Sequence, residues 1–215
     1  AGMSGILMAY RLRQADIACV VFEKNPAVGG TWFDNAYPGC RLDTPNFAYS
    51  YSFAQNPGWP SEFSRQGAIL EYFTTLTKRF GIEGDLRLGT EVLRLEFRER
   101  EQRWTLHARE PSGRESAHEF DAVVSAVGQL NRPSIPEFPG AASFAGPAWH
   151  TARWRNDVSL AGKRVGVIGT GASAYQVVPA ILGEVGRLVV FQRNAPWMLP
   201  TPRYYEPISE AHHLL

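Results

Sequence analysis

His150 is the only group titrating near neutral pH in the stretch Phe144–Trp154, which reads F-A-G-P-A-W-H-T-A-R-W. Taken alone, one histidine and two tryptophans in a connector are ordinary packing. This connector, however, lies between two glycine-rich segments, Ala1-Gly2-Met3-Ser4-Gly5-Ile6 and Gly169-Thr170-Gly171-Ala172-Ser173-Ala174. The second is a G-x-G-x-x-A turn, and each segment has the composition of a phosphate-cradling turn. Glycines there let backbone approach a pyrophosphate, and the following helix offers unpaired N–H groups and a positive dipole end. Between two such turns, polar and aromatic residues are placed to couple two bound nucleotides. About 20 residues past each turn a side chain at a strand tip reads the ribose. After the first turn it is Glu23, suited to a ribose diol, with a solvated strand-end charge as the alternative. After the second it is Gln192-Arg193, where an acid would suit NAD and an arginine suits a 2′-phosphate. The second nucleotide is therefore expected to be NADP, against the alternative of an incidental surface arginine.

The elements that position these groups follow from periodicity. Residues 3–15 have a helical apolar face of Ile6, Leu7, Tyr10 and Leu12. Ile17 to Phe22 is an apolar run of strand length leading to Glu23. Residues 25–60 show neither helical nor alternating period, and a loop that long is usually functional. It carries Gly29-Gly30-Thr31-Trp32, Tyr37-Pro38-Gly39 and Asp43, with Phe47, Tyr49, Tyr51, Phe53 and Trp59 as a satellite core. A helix is predicted over 64–80, N-capped by Ser64 and stopped by Gly81. Glu91–Phe97, Trp104–Ala108 and the Pro111-Ser112-Gly113 turn make a small antiparallel meander. Phe120 to Val127 reads as a buried strand ending in Gly128, and Pro133, Pro136, Pro139 and Gly140 mark the exit from the first domain. Lys163–Ile168, a helix to about Leu182, and Arg187–Phe191 form strand, helix and strand around the second turn. The fold class is α/β, with two Rossmann-like nucleotide-binding domains, the first interrupted by the meander.

Composition excludes several classes. At 215 residues with 44% hydrophobic and 20% charged residues, the chain is that of a globular protein. A net charge of +1, with 19 scattered arginines and 3 lysines, gives no field for nucleic acid or membrane. Cys19 and Cys40 form no C-x-x-C pair, which argues against a dithiol reductase and a zinc site. No 18-residue apolar run or signal peptide is visible, so a cytoplasmic setting is the default. The first glycine and the strand before Gly2 would fall ahead of residue 1, and His212-His213-Leu214-Leu215 closes no element. An internal fragment of a longer protein is expected.

The motif Phe144-x-Gly146-x-x-x-His150-x-x-x-Trp154 resembles the fingerprint of type I Baeyer–Villiger monooxygenases, as does Gly29-Gly30-x-Trp32-x-x-x-x-Tyr37-Pro38-Gly39-x-x-x-Asp43. The resemblance covers essentially the whole chain. One departure is Arg155 after the fingerprint tryptophan, where the family usually has Pro or Asp. Trp154 itself favours this branch over the related N- and S-oxygenating flavin monooxygenases, which carry another aromatic there. The resemblance implies that NADPH reduces FAD, that the reduced flavin forms a peroxyflavin with O2, and that this converts a ketone into an ester or lactone. It implies domains at 1–140 for FAD, 141–160 as linker and 161–215 for NADP. Gly2, Gly5, Glu23, Gly30, Thr31, Trp32, Arg41, Tyr49, Val92, Gly128 and Gln129 would then hold FAD or lie near it. Gly169, Thr170, Gly171, Ala172, Ser173, Ala174, Arg193 and Asn194 would hold NADP. Asp43 would lie by the flavin ring, paired with an arginine beyond residue 215. Trp32, His150 and Trp154 complete the expected catalytic set, the last two as coupling residues in the linker. An amine or sulfide oxygenase of the same fold and a non-catalytic NADP-binding module are the competing readings. The substrate and the oligomeric state are not legible.

Overall fold

The computed structural model describes residues 1–208; the last seven residues of the expected second nucleotide domain lie outside the described residues. The chain divides into two compact units. One comprises Ala1–Asp34 and Leu70–Arg132, the other Asn35–Ile69 and the chain from Pro133 onward.

In the first unit, helix α1 (Met3–Gln14) starts at Gly2, whose backbone is extended, and buries Gly5, Ile6 and Ala9. Arg11 and Arg13 in its last turn complement the negative end of the helix dipole. Asp16 takes a left-handed φ of 54° after the helix, so that the Ile17 N–H reaches the Leu12 carbonyl at 2.9 Å. Strand β1 (Val21–Phe22) follows, then the four-residue helix α2 (Thr31–Asp34) inside the stretch expected to be irregular. Helix α3 (Gln66–Arg79), in this unit from Leu70 onward, ends as expected at Gly81, with φ 66°; the following Ile82 is buried and its N–H reaches the Thr77 carbonyl at 3.3 Å. Strand β2 (Leu86–Arg87) pairs in parallel with β1. Strands β3 (Glu91–Arg98), β4 (Arg103–Arg109) and β5 (Glu115–Phe120) form the expected antiparallel meander, with a register irregularity between Val92 and Arg94.

In the second unit, β6 (Arg164–Ile168) and β7 (Arg187–Phe191) pair in parallel in register. Between them runs helix α4 (Ala172–Ile181), N-capped by Gly171, with Val177 and Ile181 buried. This strand, turn, helix and strand follow the bounds read from sequence to within a residue.

Besides helix α2, four expectations change. The strand expected over 17–22 narrows to β1, because only Val21 and Phe22 find a ladder partner among the described residues; Ile17 is 53% exposed. The stretch expected as a buried strand from Phe120 to Val127 has, past β5, no partner among the described residues, and Val127 is 69% exposed. Ser64 does not cap α3, which starts two residues later. It is instead held in a buried knot, its N–H donating to Asn46 Oδ1 at 3.0 Å and its hydroxyl accepting from Asn46 Nδ2 at 2.9 Å. Of the satellite core, Tyr51 and Trp59 are buried, whereas Phe47 is 72% exposed.

Candidate nucleotide and linker sites

The first glycine turn is built by close backbone approach. Gly30 has φ +55°, and a Cβ on it would stand 2.8 Å from the Gly2 Cα. Gly29 donates its N–H to the Ala1 carbonyl at 2.9 Å. The Gly29-Gly30 pair therefore packs on the start of α1, where only glycine fits both chains. From Gly29 the chain enters α2, with the Trp32 N–H on the Gly29 carbonyl at 3.1 Å and its indole buried.

Glu23 stands beyond the tip of β1, almost fully buried. Its carboxylate accepts from the Ala1 nitrogen and, at 2.9 Å, from the Asn25 N–H. Its own backbone is bracketed by the Arg87 carbonyl at 3.0 Å and the Thr90 N–H at 2.8 Å. The acid thus sits against the turn. Val92 lies two residues past Thr90 at the start of β3. Ala126 lies beside Gly5, which brings the segment leading to Gly128 and exposed Gln129 to the first turns of α1. These features fit a bound dinucleotide: a turn free of side chains, a helix N-terminus and an acid at the strand tip.

The second site has the same anatomy. Gly169 has φ +101° and donates to the Phe191 carbonyl at 2.9 Å, tying the turn to the end of β7. Thr170 Oγ1 donates to the Asn194 carbonyl at 3.4 Å. Arg193 and Asn194 therefore stand beside the turn, and the Arg193 side chain is exposed, with no carboxylate partner among the described residues. Added Cβ atoms at Gly169 and Gly171 would meet open space, so the turn is clear for a phosphate group.

In the linker, His150 acts locally as a cap. Its Nδ1 accepts from the Ala152 N–H at 3.1 Å, at the start of a 3₁₀ turn over Thr151–Arg153. That bond requires the Nδ1 lone pair and leaves Nε2 as the position for a proton. Trp149 and Trp154 meet edge to face, with ring centroids 5.5 Å apart.

Asp43 and Arg41 lie on one loop in the second unit. Asp43 is exposed, and its carboxylate holds no backbone N–H among the described residues. The loop is fixed by others: the Leu42 N–H reaches the Ser64 carbonyl at 3.0 Å, and the Asn46 N–H the Glu62 carbonyl at 2.8 Å. Tyr49, half-buried, closes the turn after Pro45. Arg41 is buried, its guanidinium donating to the Tyr204 carbonyl at 2.7 Å and lying over the Tyr204 and Tyr205 rings at 5.1 and 4.6 Å. Its backbone is gripped by Gln176 of α4, a residue that belongs to none of the sequence motifs. The available signal was a single amide on an otherwise apolar helix turn, between Tyr175 and Val177.

Burial sets the protonation here. It pushes the Tyr37 phenol well above its ordinary range, partly offset by a hydrogen bond with Ser173. It pushes the Cys40 thiol up to about 11, against a lowering contact from Tyr37. Burial also raises Tyr204, while its bond to Gln176 and the charge of Arg41 pull the other way. At neutral pH all three are uncharged hydrogen-bonding groups.

Gly39 has φ +81°, and a Cβ on it would lie 2.3 Å from the Gln176 carbonyl oxygen. Gly39→Ala combines left-handed strain with a backbone clash, so it is expected to cost about 2 kcal/mol or more. Urea denaturation of the holoenzyme checks this, and an unchanged midpoint would mean that the loop is not seated on α4.

The fold and the two turns are those of a dinucleotide-binding protein. The flavin-binding monooxygenase-like family matches residues 1–205, and the chain belongs to it. It is 45% identical over its whole length to a Baeyer–Villiger monooxygenase of Streptomyces coelicolor, of which it covers 40%. It is 44% identical, again over its whole length, to an uncharacterised monooxygenase of Sinorhizobium fredii, covering 32% of it. Among solved structures, it is similar to a cyclohexanone monooxygenase from Rhodococcus sp. Phi1 bound to NADP+, with TM-score 0.88 and 35% identity over 99% of this chain and 40% of that one. The chain thus spans between a third and two fifths of the length of these relatives. No helix among the described residues is long and apolar enough to cross a membrane.

Proposed function

We propose that this chain carries the FAD- and NADP-binding elements of a monooxygenase that converts a ketone into an ester or lactone, placing one atom of O2 beside the carbonyl. The observation that carries this reading is the pair of glycine turns, each at a helix N-terminus, with Glu23 at one strand tip and Arg193 at the other. A family of flavin-binding monooxygenases and relatives of Baeyer–Villiger type support it.

The flavin supplies the redox and oxygen chemistry, and the chain supplies position and charge. Gly2, Gly5 and Gly30 keep the first turn clear, and Glu23 takes the ribose hydroxyls. Thr31, Trp32, Arg41, Tyr49, Val92, Gly128 and Gln129 complete the flavin side. Gly169 to Ala174 hold the second pyrophosphate, with Arg193 and Asn194 at the 2′-phosphate. Asp43 orients positive charge toward the reacting oxygen atoms, and His150 and Trp154 shape the linker between the two nucleotide domains.

Oxygen uptake by the NADPH-fed holoenzyme with matched ketones, amines and sulfides tests the reading. Ketone-stimulated uptake is expected. Stimulation by amines or sulfides alone would assign the chain to N- or S-oxygenation, and nucleotide binding without uptake would make it a binding module.

A further inference from the structure

Gln176 uses its whole amide on the loop that carries Asp43 and on the segment behind it. Its Oε1 accepts from the Tyr37 hydroxyl at 2.9 Å and from the Arg41 N–H at 3.3 Å. Its Nε2 donates to the Arg41 carbonyl at 2.9 Å and to the Tyr204 hydroxyl at 2.7 Å. Two acceptor and two donor positions are the full capacity of a carboxamide. The Arg41 N–H and carbonyl together fix which end of the amide is which. Such a group is costly to bury unless it is satisfied, and here it is satisfied completely.

The geometry does more than fill space. By taking both backbone groups of Arg41, Gln176 acts as a strand neighbour would, setting the position and rotation of that peptide. Gly39 admits the loop to within contact of the Gln176 carbonyl. The next anchor, Leu42 N–H on the Ser64 carbonyl, leaves Asp43 no freedom to shift alone. At the other end of the link, Gln176 is one turn into α4, and Ser173 in the phosphate-facing first turn also contacts the Tyr37 phenol. An aliphatic side chain at 176 would pack against the loop without orienting it.

We propose that Gln176 is a positioning residue that locks the Tyr37–Asp43 loop to α4, so that a nucleotide held at the N-terminus of α4 sets where Asp43 stands. The proposal rests on the two-nucleotide reading above. It assigns Gln176 no contact with either nucleotide.

Amide hydrogen exchange of the holoenzyme with and without NADP+ tests it independently of turnover. In the unsubstituted protein NADP+ is expected to slow exchange in residues 169–176 and also in 37–43. In Gln176→Leu, exchange in 37–43 is expected to rise by about tenfold or more and to stop responding to NADP+, while protection of 169–176 remains. Flavin reduction at saturating NADPH is expected to slow by about ten- to a hundredfold, with the Kd for NADPH little changed. Gln176→Glu, which keeps the acceptor for Tyr37 and the Arg41 N–H, is expected to recover part of that rate. Tyr204→Phe removes one hydroxyl from the clamp and is expected to loosen 37–43 in the same direction, which keeps the test decisive if Gln176→Leu folds poorly. Protection of 169–176 with no response in 37–43, or wild-type exchange and reduction in the variants, would overturn the proposal. Absence of NADP+ protection at 169–176 would overturn the two-nucleotide reading and the proposal with it.

Discussion

Replacing Asp43 by alanine is expected to leave the flavin content and the melting temperature of the holoenzyme nearly unchanged while slowing flavin reduction, ester formation or both by about a hundredfold. A carboxylate in Asp43-Thr44-Pro45 has two jobs open to it from sequence, an Asx-type cap of the turn or an electrostatic role beside the flavin. The structure argues against the first. The carboxylate holds no backbone N–H among the described residues, and the loop is anchored through Leu42, Asn46 and the backbone of Arg41 instead. Losing Asp43 therefore removes no bond that keeps the loop in place. An exposed charge kept on a rigid loop is suited to orienting a partner cation toward developing negative charge. Losing one preorganised electrostatic contact of that kind costs about 10²–10³ in rate. Stopped-flow measurement of reduction by NADPH, followed by quantification of ester, separates the two roles. Wild-type rates with a lowered melting temperature would return Asp43 to a structural role.

Arg193→Ala is expected to weaken NADPH binding by about 10- to 150-fold and to leave NADH almost unaffected. The range corresponds to about 1.5–3 kcal/mol for a charge-assisted contact to a phosphate. Arg193 lies just past β7, and the neighbouring Asn194 carbonyl is bonded to Thr170 of the glycine turn. The guanidinium is exposed and pairs with no carboxylate among the described residues, so it needs no existing partner displaced to meet a 2′-phosphate. Fluorescence titration with both nucleotides checks this, and equal losses for the two would mean that Arg193 does not read the phosphate.

What the sequence made legible was local. The β6–α4–β7 unit could be read nearly to the residue because a glycine turn, a helical apolar face and a strand run lie within 30 residues of one another. The meander was legible from its strand runs and from Pro111 and Gly113 in its second turn; the first turn, Glu99–Gln102, carries neither glycine nor proline. The stop at Gly81 needed only the left-handed position that ends a helix. Elements that depend on distant partners were not legible. Ile17 to Val20 and the stretch up to Val127 have strand composition, but a ladder needs a neighbour, and composition does not say whether one is there. Ser64 has the residue type of a helix cap, yet its bonds go to Asn46, 18 residues away. The Gln176 clamp spans 135 residues to Arg41, and its one local mark, an amide among apolar neighbours, does not name a partner. Of the candidate site residues, the glycines, Glu23, Arg193 and His150 are singled out by type and spacing, whereas the roles expected of Asp43 and Trp154 come from the family resemblance.

The central claim is that a protein with these two nucleotide turns places an atom of O2 beside a ketone carbonyl at the expense of NADPH. Its most direct test is to turn over a panel of cyclic and open-chain ketones with the NADPH-supplied holoenzyme under 18O2 and to examine the products by mass spectrometry. The account predicts an ester or lactone carrying one 18O atom at the new ether oxygen, formed only when NADPH is present. Every ketone recovered unchanged while the same preparation labels an amine or a sulfide, or an ester or lactone without 18O, would contradict it.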